Sequence, residues 1–172
     1  TDLEEILARN CRISDTARAA RFCRQAEQAC YFCKDIHYPD VPLHTPTFDT
    51  TLLSAHIRPG HVTLIDCWAS WCGPCRAAIP KVKALYDKYG RDRFDVISIS
   101  LDSKKEDSQK ALEEEKMPWP QFIAGNRGYK QLTSRYNISS IPNLILIDGK
   151  GQVVCNTFSP EEIRIELEQI LR

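Results

Sequence analysis

Neither sign of charge prevails in this chain: 23 lysines and arginines stand against 23 aspartates and glutamates over 172 residues. That balance offers no electrostatic basis for binding nucleic acid or an anionic membrane surface, and neither is expected as a partner. No apolar stretch approaches the roughly 20 residues needed to cross a bilayer. Methionine occurs once, at Met117, and the chain starts at Thr1. The N-terminus therefore reads as trimmed or processed, and membrane contact is expected only through an anchor already removed. No internal repeat or low-complexity segment is found. What is present is a hydrophobic content of 42%, enough for one good core and a small appendage.

Glycine and proline are missing from the first 36 residues, which read as helix. Leu3, Ile6 and Leu7 form one stripe, and Phe22, Cys23, Ala26, Ala29, Cys30 and Cys33 form another, with Ser14 or Asp15 as a cap. Pro39, Pro42 and Pro46 then mark a boundary, dividing an N-terminal helical segment, 1–40, from a main domain, 46–172. In the main domain, Phe48 to Leu53 and His61 to Trp68 are expected as strands around the turn Arg58-Pro59-Gly60. Phe94 to Leu101 is the next strand, followed by helices over Lys104 to Lys116 and Gly128 to Tyr136. Leu144 to Ile147 and Val153 to Cys155 make a closing hairpin around Gly149-Lys150-Gly151. Ser159-Pro160-Glu161-Glu162 opens the last helix.

The densest chemical signal is Trp71-Cys72-Gly73-Pro74-Cys75. It sits where the β-branched run Val62 to Trp68 gives way to a helical pattern that continues through Ile79, Val82 and Leu85. A Cys-x-x-Cys pair at a helix N-terminus suits reversible disulfide chemistry, because the free N–H groups and the helix dipole favour a thiolate. Cys72 is the candidate nucleophile and Cys75 the resolving thiol. Pro74 stiffens the first turn without needing a donor. The bland alternatives are a static disulfide or half of a zinc site. Zinc would need further ligands at matching spacing, and the main domain offers only Cys67 and Cys155. No metal or cofactor is expected there.

These residues resemble the thioredoxin superfamily, and within it the extracytoplasmic TlpA/ResA-like thiol-disulfide oxidoreductases. The resemblance runs from about Pro46 to the C-terminus. It rests on Leu64 to Cys75, on Ser140-Ile141-Pro142-Asn143 and on Leu144 to Gly151 in that order. It implies an α/β thioredoxin-like fold, a central mixed sheet flanked by helices, here with an N-terminal helical extension. It also implies a bacterial periplasmic or cell-envelope location, protein disulfides as substrates and an upstream thiol reductant. In this family a cis proline faces the Cys pair, which implies cis for Ile141-Pro142. Read locally, Pro142 serves equally well as a trans proline opening a strand. Trp71, Gly73, Pro74, Ile141 and Pro142 are the expected substrate-binding residues.

Asp66 stands six residues before Cys72, at the place of the buried acid of thioredoxins. A buried aspartate has a raised pKa and can take the proton of Cys75; the alternative is an outward-facing strand residue. TlpA/ResA relatives commonly carry a glutamate three residues after the second cysteine. Ala78 stands there in this chain, which leaves Asp66 as the placed acid. Trp68 and Trp119 read as packing, though Met117-Pro118-Trp119-Pro120 is also a candidate border of the substrate groove. Cys67 and Cys155 read as buried sheet residues. For Cys11, Cys23, Cys30 and Cys33 three readings stay open: structural disulfides, buried thiols, or a metal or second redox centre. The leading function is reduction of protein disulfides. Oxidation or isomerisation, and a partner-binding module with a vestigial redox site, are the alternatives.

Overall fold

A computed structural model describes residues 36–90 and 93–172; the N-terminal segment with Cys11, Cys23, Cys30 and Cys33 lies outside the described residues. Eight strands form one mixed sheet. In chain order they are β1 (Ile36–His37), β2 (Pro42–His44), β3 (Thr50–Leu52), β4 (Val62–Trp68), β5 (Phe94–Ser100), β6 (Gln121–Ile123), β7 (Asn143–Ile147) and β8 (Gln152–Thr157). Their order across the sheet is β1-β8-β7-β4-β5-β6-β2-β3. The helices are α1 (Gly73–Tyr89), α2 (Lys105–Glu115), α3 (Gly125–Arg135) and α4 (Pro160–Ile170).

Strand β4 owns the centre because all seven of its residues are buried, as a strand covered on both faces must be. It runs parallel to β5 and antiparallel to β7. Successive side chains alternate between faces. Val62 and Leu64 pack with Val82 and Leu85 of α1 and Ile163 and Leu167 of α4. Ile65 and Cys67 pack on the other side with Leu132 and Tyr136 beside α3. Asp66 shares the parity of Leu64 and Trp68, so it belongs to the layer beneath α1.

One expectation is corrected here. Residues 48–53 and 61–68 do not pair across the Arg58-Pro59-Gly60 turn: β3 pairs with β2 at the sheet edge, and a 3-10 turn at Leu53–His56 leads away from it. The physical reason is burial. Thr50 and Leu52 face solvent, which suits an edge, whereas β4 is buried throughout and takes a central place. The proline-rich stretch 37–46 contributes strand residues of its own: β1 pairs with β8, and β2 pairs with both β3 and β6. Strand β6 itself has only three residues and was not anticipated.

The closing hairpin forms as expected. Its turn is held by Asp148, whose Oδ1 accepts from the N–H groups of Lys150 (2.9 Å) and Gln152 (2.8 Å), and Gly151 takes the positive φ of 81°.

Candidate functional site

The site forms where β4 ends and α1 begins. Cys72 is the N-cap residue of α1 and Pro74 lies in its first turn, a position where a missing N–H costs nothing. Cys72 and Cys75 are joined by a disulfide with their Cα atoms 5.3 Å apart. The sulfur of Cys72 also accepts the backbone N–H of Cys75 at 3.2 Å, so the helix end aims a donor at the atom that would carry thiolate charge. Cys72 is 5% exposed and Cys75 2%. Both cysteines are thus buried, Cys72 slightly less so, beside Trp71 at 71% exposure and the exposed Gly73 and Pro74.

Beneath the pair, Trp68, Ala69, Ile79 and Ala111 pack around both cysteines. Asp66 is buried, 4% exposed, and is hydrogen-bonded by the hydroxyl of Ser98 at 2.8 Å. Burial pushes its carboxyl up from 3.8 to about 6, partly offset by the Ser98 hydrogen bond. The outward-facing alternative for Asp66 is thereby excluded. Cys67, on the opposite face, is fully buried and its thiol is pushed far up by desolvation, so it stays protonated and inert. Cys155 is half-buried on β8.

The Ile141-Pro142 peptide is cis, and both residues are half-buried at the start of β7. Ile141 packs against the cluster that holds the Cys pair. Between Ile141 and Trp71 opens a groove of about 600 Å³, walled by Leu101, Asp102, Tyr129 and Ile138. The Met117-to-Pro120 segment does not line it. Trp119 is buried, stacks edge-on against Tyr86 of α1 and donates its indole N–H to Ser98 at 2.8 Å. Once its indole found that internal acceptor, packing beneath α1 won over the groove rim.

Sequence reasoning missed Asp102. Its carboxylate accepts the Ser70 backbone N–H (2.9 Å), the Ser70 hydroxyl (2.7 Å) and the Ser100 hydroxyl (2.7 Å). It thus fastens the loop carrying Trp71 and Cys72 to the end of β5. The available signal was an acid at the carboxyl end of a buried strand parallel to β4, where sites in such sheets collect. The neighbouring cation, Arg76, is engaged by Glu114 and Glu115 of α2. Among the described residues no cluster of His, Cys, Asp and Glu is arranged to hold a metal ion.

The chain is similar to proteins already known. A Thioredoxin-like family model matches residues 60–153, more than half of the chain. The thiol-disulfide oxidoreductase ResA of Geobacillus kaustophilus is 26% identical over 133 residues, covering 73% of this chain and 75% of that one. The thioredoxin domain of a thiol-disulfide oxidoreductase from Bacteroides vulgatus superposes with a TM-score of 0.73 at 24% identity, over 81% of this chain and 99% of that one. A Chlorobium tepidum structure, described as a thiol:disulfide interchange protein of DsbE type, is 32% identical with a TM-score of 0.65, over 81% and 96% of the two chains. With its Cys72–Cys75 disulfide at the head of α1, the chain belongs to the Thioredoxin-like family and is a thiol-disulfide oxidoreductase.

Proposed function

We propose that the protein works as a reductant of protein disulfides outside the cytoplasm, with Cys72 as nucleophile, Cys75 as resolving thiol and Asp66 as proton acceptor. In the forward reaction the Cys72 thiolate attacks one sulfur of a substrate disulfide. That S–S bond breaks, a mixed disulfide forms, and the first substrate sulfur leaves as a thiolate and takes a proton from solvent. Cys75 then gives its proton to the Asp66 carboxylate and attacks the Cys72 sulfur. The Cys72–Cys75 disulfide forms, the second substrate thiolate departs, and two electrons have passed to the substrate. An upstream dithiol protein returns the pair to its reduced state.

The observation that carries the direction is how modestly a Cys72 thiolate would be stabilised. Strong oxidants owe their potential to a stabilised reduced form. Here the sulfur meets one helix N–H, while Arg76, the nearest cation along the chain, is neutralised by two glutamates. The Asp66 charge in the layer beneath α1 adds repulsion rather than attraction. Trp71, Gly73, Pro74, Ile141 and Pro142 form the contact surface, an extended substrate segment lying between Trp71 and Ile141. The extracytoplasmic location rests on the kinship with ResA and DsbE-type proteins.

The test is dithiol-dependent reduction of insulin disulfides. The wild type should catalyse it, Cys72→Ser should abolish it, and Cys75→Ser should accumulate the mixed disulfide on Cys72. Full activity in Cys72→Ser would remove the nucleophile from this scheme.

A further inference from the structure

The buried hydrogen-bond chain beneath α1 joins three residues outside the Cys pair, Asp66, Ser98 and Trp119. Asp66 Oδ2 accepts from Ser98 Oγ, and Ser98 Oγ accepts from Trp119 Nε1, each at 2.8 Å. The direction of each bond follows from the groups themselves. An indole N–H only donates, so it occupies one lone pair of the Ser98 oxygen. The single Ser98 proton has two places to go: the carboxylate, or Met117 Sδ at 3.7 Å. A carboxylate is far the stronger acceptor, so the proton points at Asp66 whenever Asp66 is ionised. Once Asp66 is protonated, its O–H donates to the remaining Ser98 lone pair and the serine proton turns toward the thioether. Both charge states therefore have a satisfied arrangement that needs no water.

The indole is held in place to do this. It meets Tyr86 edge-on at 5.3 Å, and the Trp119 backbone carbonyl accepts the Gln121 side-chain amide at 3.0 Å. Among the described residues no cation pairs with Asp66, so the serine hydroxyl is the one polar group answering its charge.

We propose that Ser98, aimed by Trp119, is the positioning residue that keeps Asp66 ready to accept the proton of Cys75. This rests on the role given to Asp66 above. The other groups around the carboxyl do not compete. Helix α1 brings Cys72 and Cys75, β4 itself brings Cys67 on the opposite face, and β7 carries no titratable side chain. The acid of β5, Asp95, lies near the far end with Arg58 and His61. Helix α2 turns Glu114 and Glu115 to Arg76, and α4 packs through Ile163 and Leu167. Burial raises the carboxyl to about 6, and the Ser98 bond opposes that rise.

The experiment follows the Asp66 carboxyl by carbon NMR in the oxidised protein, together with the pH profile of mixed-disulfide release. Ser98→Ala should raise the Asp66 midpoint by about one pH unit or more, since it deletes a hydrogen bond to the charged form. Ser98→Thr, which keeps a hydroxyl, should return it close to wild type. Trp119→Phe keeps an aromatic ring but removes the donor and trims the buried ring system, so it tests the same chain from its other end and should give a smaller rise. The release profile should move with the midpoint. An unmoved midpoint in Ser98→Ala, or no rise in Trp119→Phe, would overturn the inference. A midpoint that moves while the release profile stays fixed would instead overturn the use of Asp66 as proton acceptor.

Discussion

Asp66→Asn should stabilise the oxidised protein near neutral pH and lose that advantage in acid. The carboxyl sits in the layer beneath α1, 4% exposed, with its ionisation raised from 3.8 to about 6 by burial. Between about pH 4 and pH 6 the native state holds a proton that the unfolded chain has released. Native stability therefore falls as pH rises through that window, and the full penalty is present above it. At about 1.4 kcal/mol per pH unit, the ionised carboxylate costs about 3 kcal/mol at pH 7. Asparagine keeps an acceptor for the Ser98 hydroxyl and carries no charge; its added amide donors contribute an offset that does not depend on pH. Urea unfolding of both proteins at pH 4, 5.5 and 7 isolates the pH-dependent part. The mutant should gain about 2.4 kcal/mol relative to wild type between pH 4 and pH 7, the rest of the difference already being present at pH 4. A difference between the two proteins that stays constant over that range would refute the burial argument.

Asp102→Ala strands the Ser70 and Ser100 donors. It should cost about 1–3 kcal/mol in urea unfolding and lower kcat/KM for insulin reduction, because the loop before Cys72 loses its anchor. Unchanged kinetics would show that the anchor matters for folding alone. Gly128→Ala would set a Cβ 2.5 Å from the Pro42 carbonyl oxygen, where α3 crosses β2. Neither backbone can yield cheaply, so the variant should lose about 1–3 kcal/mol; an unchanged melting temperature would contradict the close approach.

The elements that were legible in the sequence are those in which pattern and burial agree. Strand β4 reads as a β-branched and apolar run, broken only by Asp66, because both faces are covered, and the Cys pair is marked by its place between that run and α1. Helix α2 and the β7–β8 hairpin are bounded by turn residues and appear within a residue or two of expectation. Edge elements were harder. Strand β6 has three residues, too few to show a period, and β3 alternates exposed and half-buried side chains that suit any edge. The choice of partner for β3 depends on which strand claims the sheet centre, a competition that local sequence does not encode. The same holds within the site. Asp66 is conspicuous as an acid in an apolar strand, whereas Ser98 is an ordinary serine until β4 and β5 align it with Asp66 in the register. Asp102 and Trp119 likewise acquire their partners only through tertiary packing.

The central claim, that the Cys72–Cys75 pair donates electrons, is tested most directly by its reduction potential. The oxidised and reduced forms can be equilibrated against dithiothreitol or glutathione buffers at pH 7 and followed by the fluorescence of Trp71 beside the pair. A thiolate stabilised by one helix N–H and opposed by Asp66 predicts a value on the thioredoxin side, near about −270 mV. A value near the about −120 mV of the oxidant DsbA would contradict the account and make the protein a source of disulfides rather than a reductant of them.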